Sequence, residues 1–552
     1  MKKNKVIIIG IDGGTFDIIR PMIARGELPV LTSLMEKGAW GELESTIPPD
    51  TSPAWVSMMT GVNPGKHGIF FFLDNLHNNA RNGRPLGSGD IKFPPLWSVL
   101  SREKKNVIFI NVPFTYPPME VNGVVISGMF VPNSASIISY PPEVYTDLVN
   151  KLGKYEIDDW SLEAIGADRS KISAHYDRII KGISLVTEKR KMATLMLLEE
   201  KPWDFAMVVF TSADRLQHLF WKFMNPPTDN HDSELSRKYG GVIQQGYRQV
   251  DRAIGEIMEK AGHDTTVIIV SDHGFGPLEK HFFTNKWLEE IGLLKRKKRM
   301  CRKKFDIRLT NLHRALAKFV PDNTIPNWTK KIPVPVPQIK ARDRSELIDW
   351  QKTKAYGNQC GININLKGRE PDGIVEPGKE MEELLTFIQT RFYQLKDEAS
   401  GEVKIPDWIC RKEEIYNGPY IKEADDLYFS LKNRSYLPDA KVDVNVKFDR
   451  PLLGSGMHRR NGIFIMSGPL SRKRDSIAPR IIDISPTVLY LMGLPVFEEM
   501  DGRILEEAID PAYLKSHPIK VVSSVEYSGK GSYYSAEDEE KIAESLKRLG
   551  YL

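Results

Sequence analysis

Residues 5–12 read KVIIIGID. Four apolar, mostly β-branched residues before Gly10 are too few for the apolar segment of a secretion signal, which runs to roughly 7–15 residues. They suit a strand buried on both faces. The same pattern returns at VIFINV (107–112), AMVVF (206–210), TVIIV (266–270) and IFIM (463–466). Helical spacing of apolar residues separates these runs, with helices expected at 53–59, 172–199 and 247–261, where Ile254 and Ile257 share a face. Strands without polar alternation, separated by helices, predict an α/β fold: a mostly parallel central sheet covered on both faces.

Several of these strands end in the same kind of residue. Asp12 closes the first, Asp272 and His273 close TTVIIVSDH (265–273), Asp214 and His218 follow FAMVVF, and His458 precedes GIFIMSG (462–468). An open α/β sheet gathers its ligands at the C-terminal ends of its strands, and carboxylates with neutral imidazoles suit a pair of divalent cations. Asp214 and His218 lie four apart, so on a helix they share a face. The chain therefore reads as a two-metal hydrolase.

PPDTSPAWVSMMTG (48–61) adds a nucleophile candidate. Pro53 belongs in the first turn of a helix, which sets Thr51 or Ser52 at an N-terminus where free N–H groups favour an anion. A threonine hydroxyl coordinated to a divalent cation becomes a nucleophile, while an unliganded one would be a helix cap.

The remaining composition bounds these readings. With 552 residues the chain exceeds the size of a single simple core, so an elaborated or interrupted domain is expected. A net charge of +5 is small for this length and gives no indication of nucleic acid. Cys301, Cys360 and Cys410 are too scattered for a disulfide framework, and no run approaches the ~20 apolar residues of a membrane span. The expected location is the cytoplasm.

Residues 294–304, LKRKKRMCRKK, place eight basic residues in eleven, followed by Phe305, Leu309, Leu312, Leu316 and Val320 at helical spacing and by a proline-rich stretch, 320–338. An insertion or cap over 293–347 is expected, dividing a catalytic core into 1–292 and 348–552. Its basic run is either a solvated face or a peripheral contact for anionic lipid or substrate. Ser535 and Asp538 open a terminal helix with the spacing of a capping box.

In order, GIDGGTFD (10–17), PPDTSPAWVSMMTGVNPGKHGIF (48–70), FTSADRLQH (210–218), SDHGFGP (271–277) and GMHRRNGIF (456–464) resemble the alkaline phosphatase superfamily. The chain looks most like its type I phosphodiesterase and nucleotide pyrophosphatase branch, within the predicted phosphohydrolase/phosphomutase group. The resemblance extends through 361–380, 480–505 and 548–552. It implies an α/β/α sandwich in which Asp12, Thr51, Asp272 and His273 hold one metal, and Asp214, His218 and His458 the other. It also implies Thr51 as the nucleophile, an in-line attack on phosphorus, and a phosphothreonine that water releases. Zinc is the metal expected from mixed imidazole and carboxylate ligands, with manganese or iron as substitutes.

The match has gaps. Asp50 stands before Thr51 where nucleotide pyrophosphatases usually carry Lys. Their phosphoryl-binding Asn has only unaligned counterparts in Asn75, Asn78 and Asn79. A phosphate-gripping arginine is not evident, although Arg459 flanks His458. The sulfatase motif is absent, because Trp55 occupies its Arg position. The expected activity is hydrolysis of a small phosphodiester, with phosphomutase, phosphoryl transferase or phosphomonoesterase as alternatives and a catalytically idle binding protein as the remaining one. Oligomeric state is not legible.

Overall fold

The computed structural model describes residues 4–74, 83–129, 131–132, 135, 137–158, 172–224, 233–297, 344–359, 361–401, 404–451, 454–524, 527, 534–535, 537–539 and 541–542. Asn75, Asn78, Asn79 and most of the expected 293–347 insertion lie outside them.

A nine-stranded sheet organises the molecule. Across it run Arg474–Ile477, Ala39–Glu44, Asn461–Ser467, Thr265–Val270, Lys5–Ile11, Phe205–Phe210, Val107–Val112, Gly123–Ser127 and Ser139–Tyr140. Thr265–Val270, Lys5–Ile11, Phe205–Phe210, Val107–Val112 and Gly123–Ser127 form one continuous parallel block. Asn461–Ser467 joins antiparallel, with Phe464 opposite Val270. An antiparallel strand begins where its parallel neighbours end, so the residues just before Asn461 reach the edge that carries Asp12 and Asp272.

Side-chain alternation along the first strand explains the two layers. Val6 and Ile8 enter one core, which includes Trp55, Met58 and Met59 of the helix Thr51–Thr60 and Val488 and Leu491 of Ile484–Leu491. Ile7, Ile9 and Ile11 enter the other, under the helices Ile172–Glu200 and Val242–Ala261. Gly10 is what lets the Thr51 helix close on the sheet: a Cβ there would stand 2.5 Å from a ring carbon of Trp55.

A second, smaller core lies between Phe282 and Phe448. Its sheet runs Ala355–Gly357, Gly361–Ile364, Leu427–Leu431 and Pro406–Arg411, all antiparallel, with the helix Lys379–Phe392 contributing Leu385, Ile388 and Phe392 to the packing. Leu293 and Leu294, at the start of the expected insertion, are buried in this core. On either side of residues 298–343, Arg296 bridges Ile348 and Lys297 N donates to Leu347 O at 2.9 Å. At the C-terminal end, Ser535 Oγ and Asp538 Oδ2 lie 2.7 Å apart and the Asp538 N–H donates back to Ser535 Oγ at 3.2 Å.

Candidate active site

The parallel strands release their ligands at one edge. Asp12 follows Lys5–Ile11, and Gly13 after it takes a left-handed φ of 67°. That turn aims the Gly13 N–H at Asp272 Oδ1, 3.2 Å away, and leaves no room for a Cβ beside the Asp214 backbone. Asp214 lies in the first turn of Ser212–Met224 and His218 one turn on. His458 belongs to Gly456–Arg459, a short strand that pairs with Gly274–Pro277 and sets His458 opposite Phe275. This ribbon stacks the His458 ring on that of His273, with centroids 3.6 Å apart. Thr51 is the first residue of its helix, fully buried, with Oγ1 3.4 Å from His273 Nε2.

The three imidazoles are oriented alike. His218 Nδ1 lies 3.1 Å from Gly456 O, His273 Nδ1 3.1 Å from Gly274 O, and His458 Nδ1 3.2 Å from both Pro49 O and Asp50 Oδ1. Acceptors at every Nδ1 place the proton there in the neutral ring and turn each Nε2 toward the cluster. The Nε2 atoms converge: His218 Nε2 and His458 Nε2 stand 3.1 Å apart, and each is 3.3 Å from Asp214 Oδ1 without hydrogen-bond alignment. His273 Nε2 lies 3.2 Å from Asp272 Oδ2 and 3.7 Å from Asp12 Oδ1. Facing lone pairs repel unless a cation lies between them.

The carboxylates make the same demand. Asp12 Oδ1, Asp214 Oδ1 and Asp272 Oδ2 are buried and accept no hydrogen bond. Burial, then the charges of Asp272 and Asp214, pushes the Asp12 carboxyl well above its ordinary range. Burial also carries Asp272 to about 7, against His458 and with Asp214. Asp214 is the exception: burial would raise it, but His218, His458 and Arg215 together hold it well below its ordinary range. Arg215 backs it from behind, with Nη1 3.1 Å from Asp214 Oδ2 and Nη2 2.7 Å from the buried Asp158. Orphaned carboxylate oxygens beside converging imidazole Nε2 atoms fit divalent cations. Two ligand groups emerge, Asp214 with His218 and His458, and Asp12 with Asp214 and His273; Asp214 is common to both, and Asp272 Oδ2 adjoins the second through His273.

Arg459, singled out beside His458, meets backbone carbonyls. Nη1 donates to Met457 O at 3.2 Å and His458 O at 3.1 Å, Nη2 donates to Pro277 O, and the guanidinium lies where a Cβ on Gly276 would sit. Its donors are used in holding the ribbon that carries His458. The arginine that reaches Asp50, the residue before Thr51, is Arg434, whose Nη2 is 3.4 Å from Asp50 Oδ1. No motif marked it.

Comparison with known proteins agrees with this architecture. Residues 6–322 match the family model of type I phosphodiesterase / nucleotide pyrophosphatase. Phosphonoacetate hydrolase from Sinorhizobium meliloti 1021 is similar in structure, both in complex with phosphonoformate (14% identity, TM-score 0.53) and with phosphonoacetate (13%, 0.54); each comparison covers 89% of this chain and 95% of that one. Murine ectonucleotide pyrophosphatase / phosphodiesterase 5, as an inactive variant with AMP, is similar at 12% identity and TM-score 0.50, over 92% of this chain and 100% of that one. No curated protein matches the chain. The chain belongs to the type I phosphodiesterase / nucleotide pyrophosphatase family and is a hydrolase of phosphoric esters. Among the described residues, no helix is long and apolar enough to cross a membrane.

Proposed function

We propose that this member of the family is a two-metal phosphodiesterase with Thr51 as its nucleophile. The observation that supports the reading most is the position of Thr51 Oγ1, buried at a helix N-terminus and 3.4 Å from His273 Nε2. Asp12, Thr51, Asp272 and His273 would hold one ion, and Asp214, His218 and His458 the other, with Asp214 near enough to reach the first as well; zinc fits three imidazoles among carboxylates. Bound there, the ions supply Lewis acidity, lowering the pKa of a coordinated hydroxyl and offsetting charge on the phosphoryl and leaving oxygens.

Thr51 Oγ forms the new bond to phosphorus as the bond to the leaving oxygen breaks, and water then displaces phosphorus from Thr51. The three Nδ1–H donors lock the imidazoles so that no ring must turn during the cycle. Arg215 holds Asp214 charged. Trp55, fully buried, fixes the helix that presents Thr51.

Turnover of aryl esters tests the reading. A phosphodiester or phosphonate monoester is expected to be hydrolysed fastest, a phosphate monoester more slowly and a sulfate ester slowest. A tenfold preference for the monoester, about 1.4 kcal/mol of transition-state binding, would overturn the diesterase assignment. Phosphonoacetate and AMP esters belong in the same panel. We place the chain in the cytoplasm on its sparse cysteines, and cell fractionation of the untagged protein checks this.

A further inference from the structure

Asp50 stands at the N-cap of the Thr51 helix, yet its side chain caps no N–H there. A capping side chain is ordinarily worth about 1 kcal/mol to a helix, so its use elsewhere needs a reason. The carboxylate is turned to His458: Oδ1 lies 3.2 Å from Nδ1, and Pro49 O meets the same nitrogen at 3.2 Å. Both side chains are buried. His218 and His273 turn Nδ1 to the carbonyls of Gly456 and Gly274, which are neutral acceptors. At His458 a negative charge is added to the carbonyl.

Oδ1 also faces Arg434 Nη2, at 3.4 Å. Hydrogen bonds from N–H to oxygen ordinarily span about 2.7–3.2 Å, so the imidazole contact falls within that range and the guanidinium contact beyond it. Arg434 comes from the second core, on a turn where Lys432, Asn433 and Arg434 take left-handed φ of 46°, 48° and 61°. Side chains with a Cβ rarely adopt that region, and this turn is held in it from elsewhere: Lys432 N donates to Ile405 O at 2.9 Å and Asn433 N to Asp407 Oδ2 at 2.6 Å. Asp50 is therefore not what anchors the turn. A cationic side chain in its place would set a donor against the Nδ1–H donor.

We propose that Asp50 is a positioning residue for the ion site of His458: its carboxylate accepts the Nδ1–H, holds the ring with Nε2 turned to Asp214 and His218, and makes that nitrogen a stronger ligand. The inference rests on the two-ion reading above. A carboxylate on one imidazole nitrogen fixes the tautomer and the ring orientation and raises the basicity of the other nitrogen. Burial leaves this charge little screened by salt. His458 is where the effect counts, because its Nε2 stands 3.1 Å from His218 Nε2 and 3.3 Å from Asp214 Oδ1. Pro49 O supplies direction to the Nδ1–H, and Asp50 adds the charge.

The experiment follows zinc loss from the loaded wild type, Asp50→Asn and Arg434→Met as a chromophoric chelator is added. Asp50→Asn keeps an acceptor of the same shape and loses the charge, so one of the two zinc ions should bind about tenfold more weakly, and the other as in wild type. Turnover of an aryl phosphodiester by this variant should recover as zinc is added. Arg434→Met leaves the carboxylate to His458 and should hold both ions no more weakly than wild type. Asp50→Ser, which restores a helix cap without the charge, carries the same test if the asparagine variant does not fold. Unchanged zinc affinity in the Asp50 variants, or an equal loss in Arg434→Met, would overturn this inference alone. So would a loss of turnover that saturating zinc does not relieve, because Asp50 would then act in the chemical step. Wild-type protein that takes up no zinc would overturn the two-ion reading and this inference with it.

Discussion

Asp426 and Asp272 are both fully buried carboxylates, and their surroundings could hardly differ more. Asp426, in the second core, accepts from Arg369 with both oxygens at 2.6 Å, from Lys412 Nζ at 3.0 Å and from Ile364 N at 2.8 Å. Burial would raise it, but Arg369 and then Lys412 hold it down to about 2. Asp272, at the sheet edge, receives one backbone N–H, shares its space with Asp12 and Asp214, and rises to about 7. Where the chain provides its own cations, a buried carboxylate is a fixed part of the packing. Where it provides three carboxylates and three lone-pair imidazoles, the balance must come from outside.

The sharpest way to break that contrast is at the edge cluster. Thr51→Ala should lower kcat/KM on a good phosphodiester by about 10⁴, or roughly 5.5 kcal/mol, while Ser52→Ala does far less. Retained activity in Thr51→Ala would remove the covalent route. Metal analysis comes next: protein purified without chelator should carry close to two divalent ions, and His458→Ala or Asp214→Ala should lose at least one. Because Asp214 belongs to both ligand groups, its loss should be the more complete of the two. Full metal content in both variants would show that the cluster is a structural network like the one around Asp426.

Asp426→Asn tests the other half. Removing the charge leaves Arg369 and Lys412 facing each other in a buried site, and breaking such a pair costs about 3–5 kcal/mol of stability. Urea unfolding should show that loss, with bound metal and kcat on the remaining folded protein unchanged. A drop in metal content without a drop in stability would reverse the roles assigned to the two clusters.

The edge cluster was legible in sequence because Asp12, Asp272 and His273 close Val- and Ile-rich runs, Asp214 and His218 follow one and His458 precedes one. Asp12 after VIIIGI and Asp272 after VIIVS are ionisable groups where a buried strand ends, and that pattern needs no tertiary knowledge. The parallel block followed for the same reason. Arg434 was not legible, because it stands 384 residues from Asp50 and its approach depends on three left-handed residues in Lys-Asn-Arg, of which only Asn favours that region. Arg459 was singled out only by adjacency to His458; residues next to each other on a strand point to opposite faces, and its donors meet the backbone carbonyls of Met457, His458 and Pro277. The second core escaped as well. Its strands are as short as Ala355–Gly357, and Asn363, Asn365 and Asp425 are buried within it, so its segments lack the apolar runs that marked the main sheet.

The acid limb of stability gives the smallest effect and separates charge from shape. Asp426 is depressed to about 2, against about 3.9 for an ordinary aspartate. A carboxyl whose folded pKa is depressed contributes fully above its unfolded pKa, so its contribution is complete above about pH 4 and disappears as pH falls through about 2. The titrating part is on the order of 2 kcal/mol, less than the whole cost of Asp426→Asn, because the lost ion-pair geometry does not depend on pH. Wild type and Asp426→Asn should therefore differ most at pH 5–6, and the gap should narrow by roughly that amount between pH 4 and 2, read by urea midpoints of the two proteins side by side at each pH. A gap that stays constant across that window would mean that Asp426 acts by shape alone. The contrast with Asp272 would then rest on the orphaned oxygens at the sheet edge.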